Sequence, residues 1–127
     1  MRLRRVDTST TSTMHRVSSR DVEWTTRYWL EGSSDRQWRV ARVLTVYEMG
    51  LVAELFATSY QETRAHRVVL EVRIPPAVLH IRGDVMRADH GSQGGIRVRL
   101  QFVNLSVVER DLIDSLLLVE DSATADV

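Results

Sequence analysis

The sequence predicts a mainly β fold, a six-stranded antiparallel β-barrel closed by a C-terminal α-helix, or else a sandwich of the same strands. Three observations carry that prediction. Six short segments alternate apolar and polar residues with a period of two; glycine, proline or small polar residues punctuate the joins between them; and the one strong helical pattern comes last. A chain of 127 residues fits one domain, large enough to bury a core of its own.

Residues 1–15 are rich in Arg, Ser and Thr with almost nothing to bury, and are expected to form a flexible N-terminal arm. The barrel domain is expected over 16–120, and an acidic tail over 121–127. The first strand begins at Val22, where Val22, Trp24, Thr26, Tyr28 and Leu30 alternate with Glu23, Thr25, Arg27 and Trp29. Gly32-Ser33-Ser34-Asp35 then supplies turn chemistry. A second strand is expected over about Gln37 to Thr45, and Glu48-Met49-Gly50 interrupts the pattern before a third runs from Leu51 to Ala57. Ser59 to His66 is polar and reads as a loop. The fourth strand, Arg67 to Ile74, puts Val68, Leu70, Val72 and Ile74 on one face and stops at Pro75-Pro76, because proline cannot donate to a ladder. Val78 to Arg87 and Ile96 to Phe102 complete the set, joined through a glycine-rich loop over 89–95.

Ser106 followed by Glu109 is a capping-box signature, each side chain satisfying a free backbone N–H at the helix start. Val108, Leu112, Ile113 and Leu116 follow as an apolar stripe suited to closing one end of a barrel.

Composition narrows function. Net charge is zero, with 17 basic and 17 acidic residues, so no global field draws in nucleic acid or anionic lipid. All 17 basic residues are Arg, a bias that discounts any argument from a single Arg. The absence of Cys rules out disulfides, thiolate metal sites and a Cys nucleophile. No apolar run approaches the roughly 20 residues of a membrane span, and the N-terminus lacks the apolar stretch of a secretory signal, so a cytoplasmic location is expected.

Asp89-His90-Gly91-Ser92 contains the residue types of a hydrolase triad, but a triad needs a Ser–His hydrogen bond and a buried acid orienting the imidazole, which consecutive residues in a hairpin loop do not supply. The four histidines fall on separate segments without metal-ligand spacing. Neither an enzyme nor a metal or cofactor is expected.

Arg16-Val17-Ser18-Ser19-Arg20 is the more informative segment. Each guanidinium is a rigid fork that can pair with phosphate or with the O6/N7 edge of guanine. With 17 arginines in the chain, about two pairs at this spacing arise by chance, so position must decide. This pair stands immediately ahead of the first strand.

The Arg16-x-x-x-Arg20 pair ahead of the barrel, the Gly-containing turn near Gly50, the Gly83-Asp84-Val85-Met86-Arg87 strand and the Leu105-Ser106-x-x-Glu109 helix together resemble the PilZ domain family over Arg16 to Val119. The resemblance implies a non-catalytic receptor for the bacterial second messenger cyclic di-GMP that acts by changing contacts with a protein partner. It implies that Arg16 and Arg20 grip guanine and phosphate, and that Thr45, Tyr47 and Gly50 shape the floor. The family's second motif, Asp/Asn-x-Ser-x-x-Gly, reads here Thr45-Val46-Tyr47-Glu48-Met49-Gly50: the glycine is kept, Thr45 replaces the carboxylate or amide and Tyr47 replaces the serine. Losing a polar contact of that kind costs about 1–3 kcal/mol. Gly50 is expected at a tight turn that favours positive φ.

Two readings stand from this point. One is a cyclic di-GMP receptor; the other is a degenerate barrel that has lost the nucleotide and serves as a protein-interaction adaptor, with Trp29, Trp38 or Tyr60 as surface anchors. A nucleic-acid-binding barrel is disfavoured, because acids balance the arginines and no basic stripe forms.

Overall fold

The computed structural model describes residues 14–34, 37–74 and 76–120. Strands β1 (Met14–Arg16), β2 (Ser19–Glu31), β3 (Arg39–Tyr47) and β4 (Gly50–Leu55) precede a short helix, α1 (Tyr60–Ala65). Strands β5 (Arg67–Ile74), β6 (Ala77–His90) and β7 (Ile96–Val103) follow, then helix α2 (Val107–Leu116) and strand β8 (Leu118–Glu120). The six longer strands close into an antiparallel barrel in the order β2-β3-β4-β7-β6-β5, with β5 returning to β2.

The period-two pattern sets which residues face inward. Tyr28 and Leu30 of β2, Ala41 and Val43 of β3, Val68 and Leu70 of β5, and Val98 and Leu100 of β7 are buried together. The end of the barrel is plugged by α2 and the residue after it, with Ile113 and Leu117 in the core. The helix begins in the expected capping box, in which Glu109 N–H donates to Ser106 Oγ at 3.1 Å and Ser106 N–H donates to Glu109 Oε1 at 2.8 Å.

Closure needs strands that bend, and β-bulges provide the bend. Register shifts occur between Asp21 and Trp24 of β2, between Val43 and Thr45 of β3, and between Val85 and Arg87 of β6. The first two face each other, so Val22 and Glu23 lie against Leu44 alone.

Several expectations are corrected. The segment 59–66, read as a loop, contains α1, capped by Ser59 and Glu62 through the same reciprocal pair of hydrogen bonds that starts α2. The fifth expected strand, Val78 to Arg87, extends to His90, because β6 pairs with β7 out to His90 opposite Ile96. Met14 and His15, assigned to the arm, pair with Glu120 and Val119 in a two-stranded ribbon of β1 and β8. Residues 1–13 of the arm and the tail over 121–127 lie outside the described residues. Val108 does not join the apolar stripe of α2, being 61% exposed.

Candidate functional site

The segment carrying Arg16 and Arg20 is fixed by backbone pairing at both ends. Arg16 ends β1 opposite Leu118, Val17 N–H donates to Leu117 O at 2.8 Å, and Arg20 enters β2 opposite Val46. Antiparallel pairing therefore places the arginine segment beside the turn that joins β3 to β4.

The side chains follow. Arg16 donates to Asp114 Oδ1 at 3.4 Å and stands 3.6 Å from Glu48 Oε1 in the turn. Arg20 donates to the Leu116 carbonyl at 3.2 Å. From the other side, Arg110 of α2 donates to the Glu48 carbonyl at 2.7 Å. Both arginines, the β3–β4 turn and the C-terminal half of α2 thus meet at one end of the barrel.

Thr45 faces outward opposite Asp21, and its hydroxyl donates to Asp21 Oδ1 at 3.1 Å. The two facing bulges open a hollow of about 510 Å³ here, lined by Asp21, Val22, Glu23, Leu44 and Thr45. Asp21 is a candidate that the sequence alone does not single out. It stands directly after Arg20, and only the register shows that its carboxylate lies against the position where Thr45 departs from the motif.

Tyr47 lines a separate hollow of about 220 Å³ with Met49, Gly50, Met86 and Arg99. The Arg99 guanidinium carbon lies 4.9 Å from its ring centroid, a cation–π contact. Gly50 is required for a reason other than the one expected. It is buried in β4 without a positive φ, and a Cβ there would overlap the Leu100 carbonyl of β7. The structure therefore brings Arg16 and Arg20 to the turn, puts Asp21 beside Thr45, and gives Tyr47 and Gly50 a neighbouring hollow of their own.

The triad residue types at the end of β6 and in the loop after it have separate partners. Asp89 pairs with Arg87 at 2.8 Å, His90 stacks on Tyr60 with ring centroids 6.5 Å apart, and Ser92 donates to Glu54. Glu54, fully buried in β4, also receives Arg42 at 2.7 Å, Arg97 at 3.0 Å and Ser92 N–H at 3.0 Å. Burial works against its ionisation, but the hydrogen bonds from the Ser92 N–H, Arg42, Arg97 and the Ser92 hydroxyl outweigh it and hold the carboxyl at about 2. This carboxylate anchors the loop. Among the described residues no group of three or more His, Asp and Glu side chains is placed to hold a metal ion, and no helix is long and apolar enough to cross a membrane.

Among solved structures the chain is similar to the PilZ domain with c-di-GMP of YcgR from Escherichia coli, with a TM-score of 0.51 and 16% identity, over 72% of this chain and 79% of that one. The barrel has the PilZ fold. No family model and no curated protein matches the chain. At that identity the likeness establishes the shared PilZ architecture, a six-stranded barrel with a helix at its end. Ligand and role must be argued from this chain's own residues.

Proposed function

We propose that this chain is a non-catalytic regulatory PilZ-like domain of a bacterial cytoplasm that binds cyclic di-GMP and signals its presence to a protein partner. The observation that carries this reading is that the segment holding both arginines runs beside the β3–β4 turn: the Arg16 guanidinium lies 3.6 Å from Glu48 Oε1, and the Arg20 backbone pairs with Val46 while its guanidinium donates to the Leu116 carbonyl. The neighbouring solved PilZ domain is one with c-di-GMP.

In this reading Arg16 and Arg20 form a clamp, each fork suited to a phosphate or to the O6/N7 edge of guanine. Thr45 alone offers a hydroxyl, but Asp21 beside it restores a carboxylate that can accept two hydrogen bonds from a guanine N1/N2 edge. Tyr47 offers a ring for stacking, and Gly50 keeps β4 close against β7. Capture requires Arg16 to leave Asp114 and Arg20 to leave the Leu116 carbonyl. Occupancy would therefore loosen α2 and the β1–β8 ribbon, a change of surface a partner can read.

Calorimetric titration of cyclic di-GMP into the parent, Arg16→Ala and Arg20→Ala tests the proposal. Micromolar or tighter binding that either change abolishes supports it. The adaptor reading is favoured by two contacts that engage the positions departing from the motif, Thr45 with Asp21 and Tyr47 with Arg99. It predicts no heat at high micromolar ligand.

A further inference from the structure

The barrel closes incompletely at one seam. Strands β2 and β5 pair from Arg27 opposite Glu71 to Glu31 opposite Arg67. Yet β2 starts at Ser19 and β5 continues to Ile74. Beyond Arg27 and Glu71 the backbone ladder ends, with the Thr26 hydroxyl donating to the Glu71 carbonyl across the seam, and a cleft of about 760 Å³ lies between the two strand edges. That volume falls within the range of small-molecule sites.

Its walls are apolar and well supported. Trp24, from β2, packs against the core cluster, Val72 of β5 is 4% exposed within it, and Leu116 comes from α2. Its rim is charged. Glu71, 4% exposed, accepts from both Nε and Nη2 of Arg27, and from Arg73 at 3.4 and 3.5 Å. Among the residues that line the cleft, two guanidiniums face one carboxylate, which leaves one positive charge in excess.

The two cations differ in freedom. Arg27 is held by its paired contact with Glu71 and by the Trp38 ring, whose centroid lies 4.1 Å from its guanidinium carbon. The Arg73 side chain is 63% exposed and its contacts lie at the long end of the hydrogen-bonding range. Arg73 can therefore turn to an incoming anion while Arg27 continues to neutralise Glu71.

We infer that this seam cleft binds a small planar aromatic carboxylate, its ring against Trp24 and Leu116 and its charge on Arg73. A single excess charge on the rim matches one carboxylate better than a doubly phosphorylated nucleotide. The inference does not rest on the cyclic di-GMP reading, since neither Arg16 nor Arg20 lines this cleft, although Leu116, whose carbonyl accepts from Arg20, does.

Titration of the full chain with 2-naphthoate, followed through the Trp24 indole N–H signal in NMR spectra, tests it, with 2-naphthamide as the neutral control. Saturable binding with a submillimolar Kd is expected, weakened about fivefold or more in Arg73→Gln and for the amide, and largely kept in Arg73→Lys. The Arg73 side chain is exposed, so an unchanged melting temperature serves as the folding control. No saturable shift at Trp24, equal binding of the amide, or undiminished binding by Arg73→Gln would overturn the inference.

Discussion

The Arg16 guanidinium donates to Asp114 Oδ1 at 3.4 Å, so the first arginine of the proposed clamp is held by the C-terminal helix. The side chains are 43% and 41% exposed, and such a pair is worth about 0.5–1 kcal/mol. A nucleotide that recruits Arg16 must break it. Asp114→Asn is therefore expected to tighten cyclic di-GMP binding by about two- to fivefold without lowering the melting temperature by more than a few degrees, as titration and thermal melts on the same samples would report.

Asp21 is expected to carry the guanine contact that Thr45 cannot make alone. Asp21→Asn keeps an acceptor but loses charge, and should weaken binding about tenfold or more. Thr45→Asp combined with Tyr47→Ser should strengthen it. If the parent binds and Asp21→Asn binds equally well, the guanine edge is recognised elsewhere.

Glu54 should dominate the acid response of the fold. Its folded-state value of about 2 lies below the ordinary 4.5, so folding favours the ionised form. The stabilisation is fully present above 4.5 and is lost as pH falls from there through about 2. Glu54→Gln leaves Arg42 and Arg97 without their shared carboxylate, and should destabilise by about 2–3 kcal/mol at neutral pH. Urea melts at pH 7, 5 and 3 should show the parent and the variant converging as the pH drops.

Gly50→Ala should destabilise by about 1–3 kcal/mol, because the new methyl meets the Leu100 carbonyl and not a flexible side chain. Its Tm should fall whether or not cyclic di-GMP is present, which marks the role as packing.

Strands were legible where one face is fully buried. Val68, Leu70 and Val72 alternate in sequence and sit inside the barrel as the period requires. Helix α1 was missed because six residues give no apolar period, although Ser59-x-x-Glu62 carries the same cap signature that revealed α2. The β1–β8 ribbon joins Met14–Arg16 to Leu118–Glu120 across the whole chain, and two three-residue segments contain nothing that specifies each other. The site was half legible for the same reason. Arg16 and Arg20 stand out by position, whereas Asp21 gains meaning only through a register set by two facing bulges. Gly50 is expected at a tight turn with positive φ, whereas the need for glycine there comes from a neighbouring strand's carbonyl, which local sequence does not display.

The most direct test of the central claim is calorimetric titration with cyclic di-GMP of the parent chain alongside Arg16→Ala and Arg20→Ala, each shown to be folded by circular dichroism. Micromolar or tighter binding by the parent, and none measurable in either variant, is the expected result. A parent that gives no heat at high micromolar nucleotide, or variants that bind as the parent does, would contradict it.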